Sequence, residues 1–270
     1  MPIFYDTHAH LDFPDFAQDL PQVLQRAHAA GIGKIISIGT DLESSRCAIQ
    51  LTERFSNVFA VVGWHPTHVR DAPGDLRPAL RELARHPKVV AIGETGFDYH
   101  RLPSQQPDGT AADDEQYKRK QADLFEQQLE LAAELGLNCV VHQRDAFEDT
   151  IATMQKFAGQ ARGVFHCFAN DAAAVQRIVA IGSLVSFTGI LTFKNGQNVR
   201  DTLAATPHDK FMLETDCPYL APLPYRGKRC EPAYVKEISE LAAQVKGCSL
   251  EELSAATCAT AHQFFPKLDQ

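Results

Sequence analysis

LFEQQLELAAELGLNCVVHQR, residues 124–144, carries the unit whose repetition decides the fold. Wound as a helix, Leu124, Phe125, Leu131, Ala132 and Leu135 lie largely on one face, and Gly136 follows as the stop. The apolar, β-branched run at 137–142 then reads as a strand. His142 stands where that run ends, with Arg144 two residues on. Helix, glycine, strand and polar strand end follow one another without a linker.

The same alternation extends in both directions. Strands are predicted at 3–8, 34–39, 58–63, 89–94, 137–142, 163–166, 183–187 and 211–216. Between them, Leu20, Val23, Leu24, Ala27 and Ala30 repeat at helical spacing before Gly31, and Val235, Ile238, Leu241, Ala242 and Val245 do so before Gly247. Ser249 with Glu252 three residues on reads as a capping box for a last helix. Eight strands alternating with helices in one chain of this length predict an α/β fold, a single (β/α)8 TIM-barrel domain spanning 1–270. An open doubly wound sheet needs a nucleotide fingerprint, and no GxGxxG is present. One segment breaks the rhythm: RLPSQQPDGTAADDE, residues 101–115, predicts a long loop after the fourth strand.

Composition narrows the function. The formal net charge of −8 argues against broad coating of a nucleic-acid backbone, but leaves room for a local phosphate site holding cations. Seven scattered cysteines without a CxxC pair point to reduced, mostly buried thiols rather than a disulfide framework or zinc ribbon. No basic region and apolar stretch precede the first strand, and no apolar run approaches the roughly 20 residues of a membrane span. The expectation is a cytoplasmic protein with no membrane association and no obligate protein partner.

Barrel active sites form where strands end and their following loops begin. His8 and His10 end the first strand, His65 the third, Glu94 the fourth, His142 the fifth, His166 the sixth and Asp216 the eighth. Residues two apart in a strand share a face, so His8 and His10 can aim together into the barrel mouth. Taken singly, each histidine is explained by a bond to a backbone carbonyl. Six polar residues at the ends of apolar runs, in a fold that gathers those ends, point instead to metal. Histidine and carboxylate donors suit Mg²⁺ or a first-row divalent ion, and six ligands exceed one tetrahedral site. Two ions sharing Glu94 fit better, and such a pair, about 3.5–4 Å apart, clamps the attacking and leaving oxygens of a phosphate displacement.

The segments DTHAHL, GWHP, AIGETGFDYHR, VVHQRDA, GVFHCF and LETDCPYL, in this order, resemble the motif set of the TatD family of metal-dependent deoxyribonucleases, within the amidohydrolase-like barrel hydrolases. The resemblance covers nearly the whole chain. It implies that His8, His10, Glu94 and Asp216 hold one ion while Glu94, His142 and His166 hold the other. It also implies phosphodiester hydrolysis from a DNA 3′ end, with DNA as the substrate and Mg²⁺, or alternatively Mn²⁺ or Zn²⁺, as cofactor. Asp216 would orient or deprotonate the attacking water, and His65 would contact the phosphate or leaving group. Arg144, Arg226 and Arg229 are the candidate phosphate anchors, since an arginine fork matches phosphate geometry. The chain departs from the family pattern at Cys230, where many members have Asn before Glu-Pro, and in ATCATAHQFF, which lacks the usual Asn.

Other features read as structural: Trp64 and Phe97 as packing aromatics, Cys167 and Cys217 as side chains turned away from the centre. His28, His68, His86, His100, His208 and His262 read as surface residues. The competing activity is amide or ester hydrolysis by the same two-metal centre, as in a deacylase. A non-catalytic scaffold would show a broken ligand set, and all six positions are filled.

Overall fold

In the computed structural model, which describes residues 2–268, the apolar runs form β1 (Phe4–Ala9), β2 (Ile32–Ile38), β3 (Val58–Val62), β4 (Val89–Asp98), β5 (Asn138–Arg144), β6 (Gly163–Phe165), β7 (Leu184–Phe187) and β8 (Phe211–Leu213). The strands pair in parallel and in chain order. The ring closes through a parallel bridge between Ala9 and Cys217, with Asp216 N donating to His8 O at 2.9 Å and His10 N to Cys217 O at 2.8 Å. Around it lie α1 (Leu20–Ala29), α2 (Leu42–Arg54), α3 (Arg77–Leu83), α4 (Ala111–Leu135), α5 (Phe147–Lys156), α6 (Ala172–Ala180), α7 (Gln197–Ala205), α8 (Val235–Lys246) and α9 (Leu250–Phe264). This is the expected (β/α)8 TIM barrel.

Strand alternation sorts the core into two layers. Ile36, Ile38, Phe59, Val61, Val140, Val164, Leu184 and Met212 pack together inside the ring. Their neighbours Ile35, Ala60, Val62, Cys139, Val141, Phe165, Val185 and Phe211 pack outward with helix residues such as Leu24, Leu80, Phe125 and Ile178. The inner layer continues into Phe264, Phe265 and Leu268 at the end of α9. Asn138 Nδ2 donates to Phe264 O at 2.5 Å and Lys34 Nζ to Leu268 O, which fixes this plug at the strands' N-terminal ends. Burial of each such phenylalanine contributes roughly 1.5–3 kcal/mol. One end of the barrel is shut by apolar packing, so polar chemistry is confined to the other.

Capping follows the sequence signals. Ser249 and Glu252 form the capping box of α9, and Gly136 and Gly247 end α4 and α8 in the left-handed conformation. The predicted loop at 101–115 is shorter than expected. Thr110 accepts from Asp113 N and the Asp113 carboxylate accepts from Thr110 N, so α4 starts at Ala111. Strand limits also move: β4 runs four residues past Glu94, to Asp98, whereas β8 stops at Leu213. All seven cysteines are free thiols, with Cys139, Cys217 and Cys230 buried and the other four half-buried. Among the described residues no helix is long and apolar enough to cross a membrane.

Candidate metal centre

The C-terminal ends of β1, β3, β4, β5, β6 and β8 surround a cleft of about 670 Å³. Glu94 stands at its floor, 2 % exposed. The glycines of GETG place it there: Gly93 and Gly96 have φ of 142° and 135°, outside the range of ordinary side chains. A Cβ on Gly93 would also lie 2.6 Å from Val140 O. The backbone of β4 can therefore press against β5 and turn its carboxylate inward.

Glu94 divides its two oxygens. Oε2 lies 3.4 Å from His8 Nε2 and 3.8 Å from His10 Nε2. Oε1 lies 2.8 Å from both His142 Nδ1 and His166 Nε2. Asp216 Oδ1 completes the first side, 3.4 Å from His10 Nε2 and 3.7 Å from His8 Nε2. The histidine nitrogens also face one another, at 3.3 Å between His8 and His10 and between His142 and His166. In the tautomers that turn both lone pairs inward the paired nitrogens repel, and positive charge between them relieves it. His8, Glu94 and His166, and His8, His10 and Asp216, lie within reach of common ions. The donor set therefore fits divalent cations. Burial pushes Glu94 up, but His166, His65, His8 and the His142 bond outweigh it and hold the carboxyl well below the usual range. Burial likewise raises Asp216, and the His10 bond with the His8 and His166 charges brings it below its ordinary value.

Asp216 has φ of 57°, a left-handed conformation that costs about 1–3 kcal/mol for a residue with a side chain. Its N–H bonds to β1 and its carbonyl to Tyr219 N at 3.0 Å, which hold the turn in place.

His65 differs from the other histidines. With Glu94 and His142 it forms a third trio within ligand range. However, Thr67 N donates to His65 Nδ1 at 3.2 Å, so that atom keeps its lone pair. Burial pushes the ring's pKa down to about 4 and keeps it neutral, which leaves the proton on Nε2. An N–H therefore points toward Glu94 Oε1, 3.3 Å away. His65 is built as a donor into the cleft rather than as a ligand.

Further acidic residues stand in the cleft or buried behind it, outside the six expected at the strand ends: Asp98 lines it, and Glu214 and Asp6 do not. Asp98 Oδ2 lies 3.1 Å from His142 Nε2, the side of the ring opposite Glu94. Four residues past Glu94 on one strand is a same-face spacing, but the predicted strand stopped short of it. Glu214 Oε1 accepts from Cys167 N at 2.7 Å and sits 3.6 Å from His166 Nδ1. Glu214 and Asp216 repeat the two-residue spacing of His8 and His10, which was the available signal. Asp6, wholly buried with its pKa raised to about 8 by that burial, accepts from Thr215 N, Thr215 Oγ1 and His8 N and joins β1 to the end of β8. On α4, Gln121 accepts from Asp98 N at 3.0 Å and Gln128 from Trp64 N at 2.8 Å.

Several expectations are corrected. Arg144 does line the cleft, with no side-chain partner among the described residues, but Arg226 and Arg229 do not line it. Arg229 forks onto Asp19 with both contacts at 2.7 Å and lies over Phe16. Arg226 lies over Phe193, 3.8 Å from the ring centre. A charge satisfied within the fold is a poor phosphate anchor, so Arg229 leaves the candidate contacts, whereas Arg226, exposed and with no hydrogen bond or ion pair among the described residues, stands outside the cleft lining. Cys167, expected to turn away, lines the cleft, because φ of 49° re-aims the chain after His166. His68 also lines it and His262 contacts Tyr5 at 2.9 Å, so neither is a plain surface residue. His86 is half-buried, whereas His28, His100 and His208 are exposed. Trp64 and Phe97 are buried, as packing residues should be.

Residues 5–266 match the family model described as TatD related DNase. The chain is 35% identical over 264 residues to an uncharacterized metal-dependent hydrolase, YabD, of Bacillus subtilis (strain 168), covering 97% of this chain and 99% of that protein. It is 32% identical over 268 residues to the 3'-5' ssDNA/RNA exonuclease TatD of Erwinia amylovora, again covering 97% and 99%. Among solved structures, the TatD homolog YJJV of Escherichia coli K12 superposes with a TM-score of 0.87 at 27% identity, covering 97% of this chain and 98% of that one.

Proposed function

The chain belongs to the TatD related DNase family, and from that premise we propose that it is a one-domain, divalent-metal-dependent hydrolase that removes nucleotides from the 3′ end of DNA. The observation that carries this reading is the division of Glu94, one oxygen toward His8 and His10 and the other toward His142 and His166. His8, His10, Glu94 and Asp216 would hold one ion and Glu94, His142 and His166 the second, with Mg²⁺ as the expected metal. When bound, the ions supply positive charge that polarises a phosphoryl group and acidifies water.

The chain's own groups do the rest. Asp216, ionised at neutral pH and at the cleft floor, orients the attacking water and takes its proton. His65 offers its Nε2 proton as a fixed hydrogen bond to a phosphoryl or leaving oxygen. Arg144, exposed at the rim, is free to fork onto the next phosphate. Asp98 bonds the far nitrogen of His142 and so presents Nδ1 inward. The unpaired thiols favour a reducing compartment, the cytoplasm.

The test is metal-stripped protein reconstituted with Mg²⁺, Mn²⁺ or Zn²⁺ and given end-labelled single-stranded DNA with free or blocked 3′ ends, beside Asp216→Ala. Shortening from the free 3′ end by wild type, and its loss in the variant, is the expected result. Turnover of an acyl substrate with intact DNA would replace the nuclease by a deacylase.

A further inference from the structure

Large apolar side chains exposed to solvent are few among the described residues: Ile3, Tyr219 and Leu223. Ile3 precedes β1, at the plugged end of the barrel. Tyr219 and Leu223 follow β8, at the end that carries the cleft. Tyr219 is 55 % exposed, yet it is held from both sides of the chain. Its N–H bonds Asp216 O at 3.0 Å, and its ring meets Phe13 edge-on at 5.9 Å. Phe13 in turn stacks on His10, 4.9 Å between ring centres and 26° between planes. A ladder of rings thus climbs from a proposed metal ligand to the mouth.

Ile190 and Leu220 extend this side of the cleft as a surface without hydrogen-bonding side chains. The strands that carry the wall, β1, β7 and β8, are adjacent in the ring, and β5 with Arg144 lies across from them. The cleft therefore has an aromatic and aliphatic wall above Asp216, with Arg144 on the side across from it. That pairing suits a ligand with a flat apolar face and a charged backbone.

We propose that Tyr219 and Phe13 form a stacking platform for the unpaired base of a strand's terminal nucleotide, whose phosphodiester reaches the cluster beside His10. This rests on the nuclease reading above. A base held in a duplex keeps its faces covered by its neighbours, so the platform favours an unpaired end. Stacking without side-chain hydrogen bonds tolerates any base. Trp64 and Phe97 cannot serve because both are buried.

The experiment compares single-stranded oligonucleotides that end in a normal or an abasic 3′ nucleotide, cleaved by the metal-loaded full chain. Loss of base–aromatic stacking corresponds to about 5- to 150-fold in affinity. Wild type should prefer the base-bearing end by a factor in that range in kcat/KM, through KM. Tyr219→Ala should bring the ratio toward one, and Tyr219→Trp should restore it. A ratio unchanged in Tyr219→Ala overturns the platform while the nuclease stands, as does a wild type indifferent to the missing base. Cleavage of neither end by wild type removes the nuclease reading and the platform with it. Should Tyr219→Ala not fold, Tyr219→Leu, which keeps apolar bulk without a ring face, takes its place and should likewise bring the ratio toward one; a ratio unchanged in it overturns the platform.

Discussion

Val140 and His142 lie two residues apart on one face of β5, and Val164 stands in the same relation to His166 at the end of β6. The valines pack among apolar side chains, whereas the histidines meet the carboxylate of Glu94. Two residues of strand, roughly 7 Å, separate a layer that stabilises the barrel from one that burdens it. Below, Phe264 and Phe265 complete a close-packed interior. Above, buried charges, an Asp216 in left-handed conformation and buried histidine nitrogens without a hydrogen bond among the described residues, His8 Nδ1 and His10 Nδ1 for two, are held in place by the surrounding fold. The same strands serve both ends because alternation fixes which face a side chain takes, while position along the strand decides its surroundings.

Substitutions at the two ends should therefore fail differently. Glu94→Gln is expected to lower hydrolysis by about 10³-fold or more, equivalent to roughly 4 kcal/mol, and to reduce bound metal below two equivalents with an unchanged circular dichroism spectrum. Retention of both equivalents would break the bridging role. Phe264→Ala should instead lose about 3–5 kcal/mol of stability in denaturant unfolding and keep its turnover per folded molecule. A loss of kcat at temperatures where the variant is folded would show that the two layers are coupled.

Asp98→Ala sharpens the boundary between them. It removes no proposed ligand, so metal titration by calorimetry should show affinity lowered by about 10- to 100-fold at one of two sites. Equal weakening of both sites would argue against a role through His142. Arg229→Ala should have the smallest effect. The hydrogen bonds from Arg229, with those of Arg26, pull the Asp19 carboxyl down to about 2, below the roughly 3.9 of an unfolded chain. The pair's contribution is thus fully present above about pH 4 and fades as pH falls toward 2. Thermal melts should show the variant lower by about 2 °C or less at neutral pH and level with wild type near pH 2. Loss of DNA cleavage in this variant at neutral pH would return Arg229 to the phosphate contacts.

The order of strands and the residues at their ends were legible because both depend on local patterning, apolar runs that stop at His8, His10, Glu94, His142, His166 and Asp216. Asp98 was missed because the limit of β4 depends on its pairing with β5 across Gly96, a contact distant in sequence. Arg226 and Arg229 look alike in the basic cluster after Asp216, and their partners, Phe193, Asp19 and Phe16, come from elsewhere in the chain.

The sequence by itself thus determined the barrel, the end at which its chemistry sits and the six residues gathered there, since strand period and ring order suffice to bring strand ends together. Only the tertiary structure decided which oxygen of Glu94 faces which histidines, that His65 presents a proton, that Arg229 is already paired with Asp19, and that Tyr219 stands bare beside the cleft. Those are distances and tautomers set by neighbours far apart in the chain, and no spacing along it encodes them.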